Sequence, residues 1–161
     1  MPLLAAMDRV LAWWWRVPTL LRAALPVGCM VTLWWSSSRE PAPAPPSWGR
    51  AFLHNGAHVV AYASLAMSLR MVFALEPRIS VRRDVASWVL ALAYGIVDEL
   101  HQSHVPGRVC SVSDVFSDAA GAWLGLLLVA HGAANGPSGV RFAAATVVCF
   151  ACVAMATFGS W

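Results

Sequence analysis

The sequence contains no lysine, so all eleven basic residues of the 161 are arginines. Charge of either sign is scarce: 12% of residues are charged, against roughly a quarter in an average soluble domain. That scarcity excludes an ordinary solvated globular surface. The formal net charge is only +3, and no arginine cluster forms a basic stripe, which excludes a nucleic-acid footprint. Four cysteines, Cys29, Cys110, Cys149 and Cys152, show no disulfide framework. The "CFAC" pair has redox spacing, yet within an apolar run it reads as core packing. No H-E-x-x-H zinc motif is present, because the acid and the histidine of "DELHQ" stand two residues apart. No serine or cysteine sits in a recognisable nucleophile motif.

What the chain has in abundance is apolar length. Hydrophobic residues make up 59%, and the mean hydropathy is +0.63. The expectation is an all-α, polytopic transmembrane helix bundle, since a helix needs ~20 apolar residues to cross a bilayer core. Five spans are expected, at residues 19–38, 55–75, 85–100, 115–130 and 142–161. The first is the weakest, with Arg22 near its start, Pro26 inside it, and an uninterrupted apolar run of only thirteen residues from Ala23 to Trp35. Such a run also suits a signal-peptide core, but "SSSREPAPAPP" offers a poor small-x-small cleavage site, so a retained span is expected. Ahead of it, residues 1–18 mix a tryptophan triplet with arginines and read as an interfacial helix. The organisation expected is therefore an interfacial segment (1–18), a first span with a proline-rich linker (19–47), a central core (48–131), and a linker with a last span (132–161).

Arginines orient the chain. With a cytoplasmic N-terminus, Arg9, Arg16, Arg22, Arg78, Arg82, Arg83 and Arg141 fall inside. Arg39, Arg50 and Arg108 fall outside, and Arg70 is expected to snorkel to the inner interface. A multi-pass protein of the bacterial cytoplasmic membrane is the corresponding localisation.

The scarce charge is gathered in "YGIVDELHQSHVPGRVCSVSD", residues 94–114. Residues four apart share a helix face. His54, His58 and Tyr62 line one face, as do Tyr94, Asp98 and Gln102. Asp114 and Asp118 do so on the next span, continuing as Gly121 and Gly125. All three stripes enter from the outer side. Ionisable groups below the interface cost several kcal/mol unless paired or hydrated, so they are expected to face a shared, outward-opening pocket. The Pro-Gly turn after them is expected to fold Arg108 over its mouth, to pair with Asp98 or Glu99 or to receive an anion. Gly121 and Gly125, with Ser117, form a small-xxx-small face that permits close helix approach. The rival reading is structural: the acids and Arg108 as a salt-bridge network pinning helix ends, with Asp114 as an N-terminal cap.

"HNGAHVVAYASLAMSLR" and "AYGIVDELHQSHVPGRVCSVSDVFSDAAGAWLG" together resemble the VanZ-like family of small integral membrane proteins. The resemblance rests on Tyr94-Gly95, Asp98, Glu99, Gln102, Pro106-Gly107-Arg108, Asp114 and Gly121, with His58 and Tyr62 at the family's histidine and tyrosine. It covers residues 48–131. Two departures stand out: His54 and Asn55 replace an acid-lysine pair, and Asp118 replaces the usual asparagine. The resemblance implies a link with glycopeptide resistance and the cell envelope, without a settled activity.

Three functions remain open on these residues. One is an accessory protein whose pocket (His54, Tyr62, Tyr94, Gln102, Arg108, Asp114, Asp118) binds a lipid-linked envelope component. A second is a membrane-embedded hydrolase or transferase acting on a lipid headgroup. There His58, with Asp98 or Glu99, acts as general acid and base, or His58, Glu99 and Asp114 hold a metal. The third is a structural subunit of a membrane complex. Expected partners are membrane lipids, a lipid-linked precursor or a membrane protein, with no nucleic acid; the sequence names no cofactor.

Overall fold

A computed structural model describes residues 13–14, 16–41, 45, 47–73, 80–108, 110–131 and 139–158. The described residues contain helices and no strand. A single turn, Thr19–Arg22, leads into α1 (Ala24–Ser37); α2 (Trp48–Phe73), α3 (Val81–Gln102), α4 (Val112–His131) and α5 (Gly139–Phe158) follow. Apart from Trp13 and Trp14, which are helical, the expected interfacial segment mostly lies outside the described residues. So do Arg9 and Arg78 of the arginine tally.

Each expected span falls on a helix, but the helices differ in their fitness to cross a bilayer. Only α4, over Val112–Ala130, and α5, over Gly139–Phe158, are both long and apolar enough among the described residues. The 14 residues of α1 reach only about 21 Å at ~1.5 Å per residue, short of a ~30 Å hydrocarbon core. The longer α2 and α3 carry charge at both ends: Arg50 and Arg70 on one, Arg82, Arg83, Asp84, Asp98 and Glu99 on the other.

α2 and α4 form the most extensive helix pair, with α1, α3 and α5 packed around them. Glycine makes that closeness. A Cβ on Gly121 would stand 2.7 Å from the Cα of Val59, and one on Gly125 2.8 Å from the Cα of Ala63. Because Val59 and Ala63 ascend with Gly121 and Gly125, the two helices run parallel. α3 runs antiparallel to α4: Gly95 lies against Asp118, while Glu99, further along α3, meets Ser111 at the start of α4. The apolar core is small, built from Tyr62, Leu65, Ala66 and Leu69 of α2, Ala91 of α3, and Ala122 and Leu126 of α4.

Elsewhere the distribution is inverted relative to a soluble protein. Leu53, Val60, Val97, Phe116 and Phe150 point outward, exposed, while Asp98, Glu99, Gln102, Asp114 and Asp118 are buried. Arg70 does not snorkel. It is buried and ion-paired with Asp84, which ties the end of α2 to the start of α3. The reason is local: α3 presents Asp84 in its first turn, the one acid there.

Candidate functional site

The site follows from register. With α2 and α4 parallel and indexed by the two glycines, His58 stands level with Asp118 and His54 with Asp114. Nδ1 of His58 lies 2.9 Å from Oδ1 of Asp118. The His58 side chain is only 11% exposed and that of Asp118 1%. The His54 and His58 rings meet edge to face, with centroids 4.9 Å apart, and Tyr62 lies one turn deeper with its ring nearly parallel to His58. One donor atom from each of His54, His58 and Asp114 falls within 4.8 Å of the others. Three groups from two helices therefore converge at the end of the bundle where α2 and α4 begin.

The second Asp118 oxygen is buried with no hydrogen-bond partner, as are the Tyr62 hydroxyl and Oε1 of Glu99. Buried polar groups are normally satisfied, and an orphaned carboxylate oxygen costs about 1–3 kcal/mol or more. Orphans of this kind mark a place where something else supplies the bond.

The remaining sequence-predicted residues serve differently. Both Asp98 oxygens are engaged: Ser37 donates to Oδ1 at 2.6 Å and Gln102 to Oδ2 at 3.1 Å. It ties α1 to α3. Gln102 is consumed by the same contact. The Tyr94 hydroxyl donates to the backbone carbonyl of Met30, 2.5 Å away on α1, so it turns from the pocket toward a neighbouring helix. Glu99 accepts the Ser111 backbone N–H at 2.8 Å, holding the start of α4. The donor group that converges among the described residues is His54, His58 and Asp114, two of the expected trio of His58, Glu99 and Asp114 together with His54. The cause is helix direction, since residues four apart on α2 meet residues four apart on α4.

Arg108 also departs from expectation. The turn forms as foreseen, with Gly107 at φ 76° and the Arg108 N–H bonded to the Val105 carbonyl at 3.1 Å. A positive φ at that position admits glycine far more readily than any side chain. The guanidinium, however, donates to the Arg39 and Ser36 carbonyls at 3.2 and 3.0 Å. Ion pairs among the described residues are His58–Asp118 and Arg70–Asp84, so neither Asp98 nor Glu99 pairs with it. The exposed carbonyls at the end of α1 are the better partner, since they carry the negative end of the helix dipole.

Ser37, Ser111 and Gly95 were not foreseen. Gly95 leaves the space that Asp118 fills: a Cβ there would stand 2.9 Å from its Oδ2. Only the glycine itself, inside "AYGIVDE", was a visible signal.

The VanZ/LLP1 family profile matches residues 12–132, three-quarters of the chain. The chain belongs to the VanZ/LLP1 family. The match takes in α1 as well as the two stretches of resemblance, in keeping with the ties of Ser37 to Asp98 and of Ser36 to Arg108. No curated protein and no solved structure is significantly similar to this VanZ/LLP1 chain.

Proposed function

We propose that this VanZ/LLP1 protein is a multi-pass protein of the bacterial cytoplasmic membrane that binds the polar head of a lipid-linked envelope component. All five long helices span in this reading, α1 together with the turn Thr19–Arg22 that precedes it; the N-terminus is cytoplasmic, and the His54–Asp114 end faces outward. The observation that carries it is the inversion of the bundle: apolar side chains cover the outside while His58, Asp114 and Asp118 converge inside at one end. In a bilayer, ionisable groups gathered around an inner, accessible space mark a binding path. The exposed edge of that space at His54 supports access from the headgroup layer.

The direct test uses the full chain in nanodiscs, presented with a polyprenyl phosphate or with a neutral lipid of equal length. Saturable binding of the phosphate, weakened at least tenfold by His58→Ala, supports the reading. Equal, non-saturable uptake of both lipids overturns it.

A second reading, an enzyme acting on the headgroup, is favoured by the His58–Asp118 contact. A carboxylate on Nδ1 fixes the tautomer and leaves Nε2 to exchange a proton with a reactant. Release of headgroup or phosphate from the bound lipid, lost in His58→Gln, distinguishes catalysis from binding.

A further inference from the structure

The outer end of the bundle holds more buried negative charge than its neighbours balance. Glu99, Asp114 and Asp118 are each at most 8% exposed. Neither arginine pairs with them: Arg108, near His54, donates to the Ser36 and Arg39 carbonyls, and Arg70 lies at the other end with Asp84. Carboxylates removed from water are destabilised unless a cation or hydrogen bonds compensate them. Here one Glu99 oxygen and one Asp118 oxygen lack any partner. A phosphate headgroup brought to such a place would meet repulsion rather than attraction. A cation between them reverses the sign.

We propose that His54, His58 and Asp114 bind one divalent cation of the zinc type, with Asp118 orienting His58. The proposal rests on the headgroup reading for its purpose but not for its geometry. Two imidazoles and a carboxylate are a common donor set for zinc, and three protein ligands leave a fourth position open to an anionic oxygen. Donors around a tetrahedral zinc lie roughly 3–3.5 Å apart, given bond lengths of about 2.1 Å. The present spread is up to 4.8 Å, so the three groups must draw together on binding, and His54 is the exposed member of the set. The independent sign is Asp118. Ligating histidines characteristically donate their second ring nitrogen to a carboxylate, which sets the tautomer and strengthens the metal bond. Nδ1 of His58 meets Asp118 in that manner at 2.9 Å, which assigns Nε2 to the cation. Glu99 and Asp118 add two further buried carboxyl groups at this end of the bundle, each with one unpartnered oxygen.

The test is direct. The full chain, purified in detergent, is stripped with a chelator and titrated with Zn²⁺ by calorimetry and elemental analysis. Co²⁺ loading supplies an absorption spectrum that reports tetrahedral coordination. One equivalent per chain is expected. His58→Ala and Asp114→Asn should each weaken binding at least a hundredfold, and Asp118→Asn should weaken it about 10–100-fold, as for other groups behind a ligand. If Asp114→Asn fails to fold, His54→Gln, at an exposed position, carries the same expectation. The idea is overturned by an absence of saturable binding. It is equally overturned by binding that survives His54→Gln/His58→Gln or that disappears in His101→Ala/His104→Ala instead. Vesicles containing phosphatidic acid, and inorganic phosphate alone, form the last arms. Phosphate-lipid binding that persists in chelator sinks the cation site and leaves the headgroup reading intact. Zinc binding that recruits neither phosphate source sustains the cation site and defeats that reading.

Discussion

Asp118 and Gly95 occupy one space: the Asp118 Oδ2 lies where it would be 2.9 Å from a methyl group on Gly95, while its Oδ1 holds His58. Gly95→Ala is therefore expected to displace the carboxylate and misalign the histidine. Overpacking of this kind costs about 1–3 kcal/mol. The melting temperature in detergent should fall, and ligand binding at His58 should weaken with it. A Gly95→Ala protein as stable as the parent, with His58 still oriented, would show that the helices simply part to make room.

Ser37 and Asp98 are 61 residues apart in sequence and 2.6 Å apart in space. Hydrogen bonds to a charged group contribute about 1.5–3 kcal/mol net, so a double-mutant cycle of Ser37→Ala and Asp98→Asn should give a coupling of that order. Chemical or thermal unfolding measures it. Additive effects within about 0.5 kcal/mol would mean that α1 is held by other contacts.

Arg108 and Glu99 sit at the same mouth without pairing. Arg108→Gln removes donors from the end of α1 and is expected to lower stability by about 0.3–1 kcal/mol. Adding Glu99→Gln should not rescue it, because the glutamate's partner is the Ser111 backbone. Rescue by the second substitution in a thermal melt would restore the salt-bridge clamp that the turn sequence invites.

The topology proposed above places Ser47 and Ser103 outside and Ser80 inside. In a background lacking Cys29, Cys110, Cys149 and Cys152, single cysteines at Ser47 and Ser103 should react with an impermeant maleimide in intact cells. One at Ser80 should react only after permeabilisation. Labelling of Ser80 from outside reverses the orientation and puts the His54 cluster in the cytoplasm.

Much of this arrangement was legible from spacing. Five helices, the Pro-Gly turn and the small-residue face at Gly121 and Gly125 all follow from periodicity, since each is a property of one helix or of one short loop. Partner choice was not legible in the same way. Nothing near Asp98 in sequence indicates that Ser37 donates to it, nor that Arg108 prefers the carbonyls of Ser36 and Arg39 to a carboxylate. Both depend on where α1 docks, and α1 is the shortest of the five long helices. The place of His54 in the convergent group has a different origin. It turns on α2 and α4 being parallel and flush, a relation between two segments that neither segment encodes alone.

The two glycine notches on α4 have a consequence beyond close packing. They act as a vernier. Val59 and Ala63 each lie against a notch, and a slide of α2 by a single turn toward the start of α4 would bring Ala63 to Gly121 and set the Val59 backbone against the side chain of Ser117. The same slide would put His58 opposite Asp114 and carry His54 past the carboxylates altogether. Alignment of the polar end is thus decided one and two turns deeper, by residues that carry no charge and touch no ligand. Selection for chemistry at His58 is in this respect selection for the absence of a methyl group at Gly121 and Gly125.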